Sequence, residues 1–238
     1  SDGSRALCGV GYDDTVGGLD AGSARVFLRT GTAWAQEATL LAPDGAGVDR
    51  FGYSVALSSD GSRALCGAAY DDTIAVDTGT ARVHVRTGTS WVEEATLQGS
   101  GMASAYFGWA VALTSDGSRA LCGSYLDDTP GGADAGRARV FTILATTGST
   151  CSGDTACVSG FCTDGVCCTT RCGGGASDCQ ACSNALTAAP SGTCAPLSVA
   201  VAPTVVCRAT AGVCDTAEVC TSASTACRQT GRWRSKSF

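Results

Sequence analysis

The residues best placed to do chemistry come in three matching blocks. Asp13-Asp14-Thr15, Asp71-Asp72-Thr73 and Asp127-Asp128-Thr129 each follow an apolar stretch and precede a glycine-containing or otherwise small-residue loop. Paired carboxylates on a loop can hold a cation, and Asp13, Asp14, Asp71, Asp72, Asp127 and Asp128 are therefore the candidate metal ligands. Calcium is the ion such loops would take, but it wants six to eight oxygens, and two carboxylates do not close a cage. Capping of turns by Asp and Thr side chains is the favoured reading, and no cofactor is expected. Catalysis has little to build on. His84 is the only histidine, so any Ser-His-Asp or Cys-His arrangement must use it. It aligns with Phe27 and Phe141 in the sister blocks, which makes it an aromatic-sized filler. No serine sits in a nucleophile-elbow context.

Cysteine supplies the second chemistry. Of 16 cysteines, 13 fall between 151 and 227: Cys151, Cys157, Cys162, Cys167, Cys168, Cys172, Cys179, Cys182, Cys194, Cys207, Cys214, Cys220 and Cys227. Such density predicts a disulfide framework made in an oxidising compartment. Cys179-Gln-Ala-Cys182 has the C-x-x-C spacing of a zinc half-site, yet a second pair at suitable spacing is missing, so disulfides are favoured over zinc. Thirteen is odd, and truncation at the C-terminus would explain the unpaired one. Cys8, Cys66 and Cys122 differ. They occupy one equivalent place each in apolar stretches and are expected to be buried free thiols acting as small hydrophobes.

The elements that position these residues are repeated. Ser1-Asp-Gly-Ser-Arg-Ala-Leu-Cys-Gly9 returns at Ser59 and at Ser115, offsets of 58 and 56 residues. Ala21 to Phe27 returns as Thr78 to His84 and as Ala135 to Phe141, and Trp34 matches Trp91. A fixed period of this length predicts a propeller or a related array. Within one unit, Tyr53–Leu57, Arg63–Ala69, Ala81–Arg86 and Trp91–Leu97 read as short strands joined by Ser-Asp-Gly and Thr-Gly-Thr turns. Residues 81–86 alternate, with Ala81, Val83 and Val85 on one face and Arg82, His84 and Arg86 on the other. Four antiparallel strands make one blade, which must stack on neighbours to bury both faces. Residues 1–42 supply the later strands of one blade, 51–97 a whole blade, and 107–143 the first three strands of a third.

This unit resembles the FG-GAP repeat, the blade of the integrin alpha-subunit propeller and of many bacterial surface proteins. The resemblance rests on Phe51-Gly52, Phe107-Gly108, the Ser-Asp-Gly hairpins, and Leu-Cys-Gly followed by Asp-Asp-Thr. It implies a mostly β, partial β-propeller. The calcium-binding integrin blades carry several acidic residues between their first two strands. Here that hairpin, Ser58 to Ser62, has Asp60 alone, so the calcium role does not carry over to it. Past a small-residue linker at 144–150, residues 151–238 form a cysteine-rich module. Cys157 to Cys168 resembles a cysteine-rich motif of bacterial secreted proteins. Cys207 to Cys227, with Asp215, Glu218 and Thr221, resembles the end of a disintegrin domain, though Gly212-Val213-Cys214-Asp215 offers no Arg-Gly-Asp.

The net charge is -6, and the 16 Lys and Arg are thinly spread, so nucleic acid is not an expected partner. No apolar run has membrane-span length. With no signal peptide and a start in mid-repeat, a fragment of a longer protein is expected. The expectation is a non-catalytic binding or adhesion scaffold, secreted or on a cell surface, whose partner is a protein or carbohydrate. The alternative is an accessory region of a secreted hydrolase or protease.

Overall fold

The Arg-Ala-Leu-Cys-Gly block forms the same strand three times: β1 (Arg5–Val10), β5 (Arg63–Ala68) and β9 (Arg119–Ser124). The Ala-Arg-Val block forms its antiparallel neighbour: β2 (Ser23–Thr30), β6 (Thr80–Thr87) and β10 (Arg137–Thr142). Outer strands β3 (Ala33–Leu40) and β7 (Ser90–Gln98) carry Trp34 and Trp91, and inner strands β4 (Ser54–Leu57) and β8 (Phe107–Leu113) follow each Phe-Gly. Sheet I is β1-β2-β3, sheet II is β4-β5-β6-β7, and sheet III is β8-β9-β10. The computed structural model describes residues 3–145, 147–149, 151, 153–163, 165–170, 172 and 190–195, with only the backbone of some short strands between 180 and 219. The chain divides into two compact units, Ser1–Ile143 and Leu144–Phe238. The fold is mostly β, as the repeat predicts.

Alternation on β5 explains the stacking. Ala64, Cys66 and Ala68 face sheet I, in a core with Ala24, Val26, Leu40 and Phe51. Leu65 faces the other way, with Ala81, Val83, Phe107, Ala120 and Cys122. All of β5 is buried, because it lies between two other sheets. Each fully buried Val, Leu or Phe contributes about 1.5–3 kcal/mol relative to exposure and each Ala less, so Val26, Leu40, Phe51, Leu65, Val83 and Phe107 carry most of what the two cores supply.

Bulges aim one charge per blade inward. The β2–β3 register skips Glu37, and the β6–β7 register skips Glu94. Extra residues of this kind re-aim side chains. Glu94 thereby meets Arg63 in a two-pronged pair of 2.7 and 2.8 Å, and Glu37 meets Arg5 at 2.8 and 3.1 Å. Arg5 foremost, then Trp91 and Arg86, hold the Glu37 carboxyl at about 2 against the opposing effect of burial. The arginine stems support the next blade's hairpin, with Gly61 resting on Arg5 and Gly117 on Arg63.

The blades meet through backbone. A Cβ on Gly67 would overlap the Gly108 carbonyl, and one on Gly9 would overlap the Gly52 carbonyl. Gly22 and Gly79 lie equally close to the carbonyls of Phe51 and Phe107, at φ 84° and 75°. The Phe51 amide donates to Ala21 O at 2.9 Å, and the Phe107 amide to Thr78 O at 2.9 Å. Glycine is needed wherever a neighbouring carbonyl occupies the place of a side chain.

One expectation needs correction. Cys66 and Cys122 are buried free thiols, but the Cys8 thiol is exposed. The blade cysteine always faces the preceding sheet, and among the described residues sheet I has none on that side. Burial pushes the Cys122 thiol up to about 12 and raises Cys66 further.

In the second unit, Cys151–Cys162, Cys157–Cys167 and Cys172–Cys194 are disulfides, with Cα separations of 6.0, 5.5 and 5.3 Å. Cys168 is also disulfide-bonded. They brace a short 3-10 helix at Asp154–Ala156 and a hairpin of β11 (Cys162–Thr163) and β12 (Val166–Cys167). Ala145 bridges Cys157, and Gly148 and Ser149 bond Cys167, so part of the stretch expected as a linker is tied into this unit. Cys179, Cys182, Cys214, Cys220 and Cys227 lie outside the described residues, as do the Cys207 side chain and the disintegrin-like end apart from short strand backbone.

The seam is tested by a matched pair of substitutions. Gly67→Ala is expected to cost about 2–4 kcal/mol in chemical denaturation, because its Cβ meets fixed backbone. Gly123 is the equivalent position with nothing nearer than 3.7 Å. Gly123→Ala is expected to stay within about 0.5 kcal/mol. Equal costs would contradict the seam.

Candidate functional site

Each Asp-Asp-Thr block sits at the end of the Leu-Cys-Gly strand, where the chain turns toward the next strand. The first carboxylate points into the blade. Asp13 Oδ2 accepts from Ser23 Oγ at 2.6 Å and Arg25 at 3.0 Å. Asp71 Oδ2 accepts from Thr80 Oγ1 at 2.6 Å, and its Oδ1 from the Thr73 amide at 2.8 Å. Burial of Asp71 opposes ionisation, but the Thr73 and Thr80 hydrogen bonds and the Arg82 charge outweigh it and lower its pKa. Asp127 is fully buried; Oδ1 accepts from Ser100 Oγ at 2.7 Å. Arg137 replaces the Ser23 and Thr80 hydroxyls there, with Nε 3.5 Å from Asp127 Oδ2.

The second carboxylate spans the loop. Asp14, Asp72 and Asp128 accept from the amides of Asp20, Asp77 and Asp134 at 3.0, 2.7 and 2.8 Å. The three donating residues, Asp20, Asp77 and Asp134, have φ of 52°, 52° and 53°. A left-handed non-glycine residue is strained, and Asp tolerates it best among charged residues. The purpose of the shape lies one step further. The Asp20 carbonyl accepts from the Arg50 amide at 3.1 Å, and the Asp77 carbonyl from the Tyr106 amide at 3.0 Å. Asp14 and Asp72 therefore hold the strip of backbone that receives the next blade. Each carboxylate of a block accepts from a protein donor, although Asp127 Oδ2, buried, has only the Arg137 charge at 3.5 Å and no hydrogen bond. This favours the capping role over a cation site.

Sequence reasoning missed a second layer of charge. Arg82, 4% exposed, reaches Asp44 from the loop after sheet I, Glu93 at 3.2 Å and Asp71 at 3.5 Å. Asp49 lies close by, 6% exposed, with the Ala46 amide at 2.6 Å from Oδ2. Its carboxyl is raised to about 6, first by burial and then by repulsion from Asp71, Asp72 and Asp44, with the Ala46 hydrogen bond pulling the other way. The repeat gave no signal for Asp49, because the next unit has Ala105 there. Arg50 stacks over Tyr12 and Tyr70, 4.6 and 4.1 Å from the ring centres. Tyr106 takes the place of Arg50 in the next unit, with its ring 5.2 Å from Tyr70.

His84 is 4% exposed and edge-on to Phe51 at 5.8 Å between ring centres. Burial lowers its pKa; attraction from Glu93 opposes this, and repulsion from Arg82 adds to it. It is packed as the filler role requires. In the second unit the Cys151, Cys157 and Cys162 sulfurs lie within 4.8 Å of one another. All three are in disulfides, so they offer no thiolate to a metal.

Two stretches match the FG-GAP repeat, residues 34–84 and 91–141. Each runs from an outer strand through the Phe-Gly and into the third strand of the following sheet, so each contains one complete seam. Together they cover less than half of the chain. No curated protein matches it.

Two measurements check the site. Asp72→Ala removes the acceptor for Asp77 and is expected to cost about 1–3 kcal/mol, while low-millimolar calcium leaves the thermal midpoint unchanged. A calcium shift of the size mass action gives, abolished in Asp72→Asn, would contradict the capping role. The second is pH dependence. The Asp49 pKa is higher folded than unfolded, so its contribution is present near pH 4 and is lost as pH rises through about 6. His84 acts oppositely, losing stability as pH falls below its ordinary value. Asp49→Asn keeps an acceptor for Ala46, so it is expected to gain about 2 kcal/mol on wild type between pH 4.5 and pH 7.5. An equal difference at both pH values would contradict the burial of the Asp49 charge.

Proposed function

We propose that this chain is a non-catalytic scaffold of a secreted or cell-surface protein, binding a protein or carbohydrate through its repeated loops. The observation that carries this reading is the thrice-repeated Asp-Asp-Thr loop, held in one shape by its own carboxylates. Binding residues are found disproportionately on loops that a rigid scaffold positions. The FG-GAP matches and the several disulfides support an extracellular setting, where such repeats are typical of adhesion and scaffold proteins. No helix among the described residues is long and apolar enough to cross a membrane.

Cell adhesion to the immobilised chain, together with a panel of peptide, ester and glycoside substrates, tests this. Saturable adhesion is expected, reduced by Asp14→Ala, Asp72→Ala and Asp128→Ala together at unchanged secondary structure. Adhesion indifferent to the loops would contradict the reading. Turnover of any substrate would favour the alternative, a region of a secreted hydrolase or protease.

A further inference from the structure

Arg50 is an arginine without a carboxylate on a surface rich in aspartate. Arg5, Arg25, Arg63, Arg82, Arg86 and Arg137 each lie within 3.5 Å of an Asp or Glu oxygen. Arg50 has no such partner among the described residues, and its buried Nε has no hydrogen bond. Its neighbour Asp49 is buried and accepts from the Ala46 amide instead. Rings hold the guanidinium: its carbon lies 4.6 Å from the centre of Tyr12 and 4.1 Å from that of Tyr70. The seam sets the left-handed backbone here, φ 56°, because the equivalent Tyr106 shares it at 53°. The seam does not set the choice of arginine.

The two rings belong to a longer aromatic surface. Between ring centres, Tyr70 is 6.1 Å from Tyr53 and 5.2 Å from Tyr106, and Trp109 is 4.8 Å from Tyr53. Tyr12 is 62% exposed, and the other four are half-buried. Tyr12 and Tyr70 directly precede Asp13 and Asp71, so this surface is part of the repeated loops. Some of the negative charge nearby is already matched, Asp13 by Arg25 and Asp71 by Arg82. Asp14 and Asp72 are exposed and each gives one oxygen to a loop amide, which leaves the other for a hydroxyl.

We propose that Arg50 and these rings bind an acidic glycan, the guanidinium holding a sugar carboxylate and the rings stacking on the C–H face of the sugar. A guanidinium presents paired N–H donors in the geometry of a carboxylate. Aromatic side chains give a flat apolar surface to a ring whose rim is polar. Held between Tyr12 and Tyr70, Arg50 has little freedom left to lose on binding. Asp14 and Asp72 disfavour densely charged polymers, so a sugar with isolated carboxylates fits best. An acidic peptide would satisfy Arg50 but has no flat ring for the aromatic surface. This rests on the scaffold reading and narrows its partner to a carbohydrate.

Titration calorimetry of the full chain in EDTA tests it. The probes are trigalacturonic acid and its methyl ester, sialyllactose and lactose, and a hexaglutamate peptide. At least one acidic sugar is expected to bind saturably, and at least about tenfold more tightly than its uncharged counterpart. Arg50→Gln should remove that preference, and Tyr70→Ala should weaken charged and uncharged sugars alike. Arg50→Tyr, which copies Tyr106, should keep the thermal midpoint of wild type and lose the acidic sugar, which separates binding from folding. No sugar binding, equal binding of charged and uncharged sugars, binding unchanged in Arg50→Gln, or binding of hexaglutamate alone would each overturn the proposal. Cell adhesion that falls with the Asp14, Asp72 and Asp128 substitutions but is unchanged in Arg50→Gln would leave the scaffold reading standing and overturn this one.

Discussion

The structure depends on one steric constraint: a backbone carbonyl from each Phe-Gly segment fills space that a side chain would otherwise take on the preceding blade. Gly9 and Gly22 make that space for Phe51-Gly52, and Gly67 and Gly79 make it for Phe107-Gly108. Backbone packed this closely cannot relax as a side chain can, so the seam fixes how far apart two sheets stand. The apolar cores on either side of β5 then have a set width to fill. Dense interiors respond to changes as small as one methylene, so that width matters to every core residue.

The charged residues serve the same seam from three sides. Asp14 and Asp72 shape the strip whose carbonyls bond the incoming chain. Arg5 and Arg63, gripped by the bulged Glu37 and Glu94, support the incoming hairpin. Arg82 draws Asp44 from the loop after sheet I toward Asp71 and Glu93 of sheet II. Ion pairs buried to this degree are poor sources of net stability, but removing one partner strands the other's charge. Their effect here is to fix register between blades.

Much of this was legible in the residues. Blocks returning in the same order gave the number of sheets and their strands, and the alternation of Ala81 to Arg86 gave two unlike faces. Both faces proved buried at Arg82 and His84, since a blade with neighbours on both sides has no solvent side. Phe27 and Phe141 at the equivalent places predict an aromatic-sized residue at 84, and His84 is buried edge-on to Phe51. The bulges at Glu37 and Glu94 were not legible, because a one-residue slip leaves no mark in composition. Nor was Asp49, which has Ala105 as its counterpart. The exposure of Cys8 depends on what lies against sheet I, which the strand itself does not encode. Turn capping was legible for the pair as a whole, but not what the second Asp caps: its partner amide is five or six residues on, at a left-handed turn that no propensity announces.

Native-state hydrogen exchange tests the seam most directly. The amides of Phe51 and Phe107 donate across it, to Ala21 and Thr78. If the seam holds the sheets, these amides exchange only through global unfolding, with the same free energy as the interior of β5. Exchange through a local opening several kcal/mol below the global value, with β5 still protected, would mean that the sheets are stable without it.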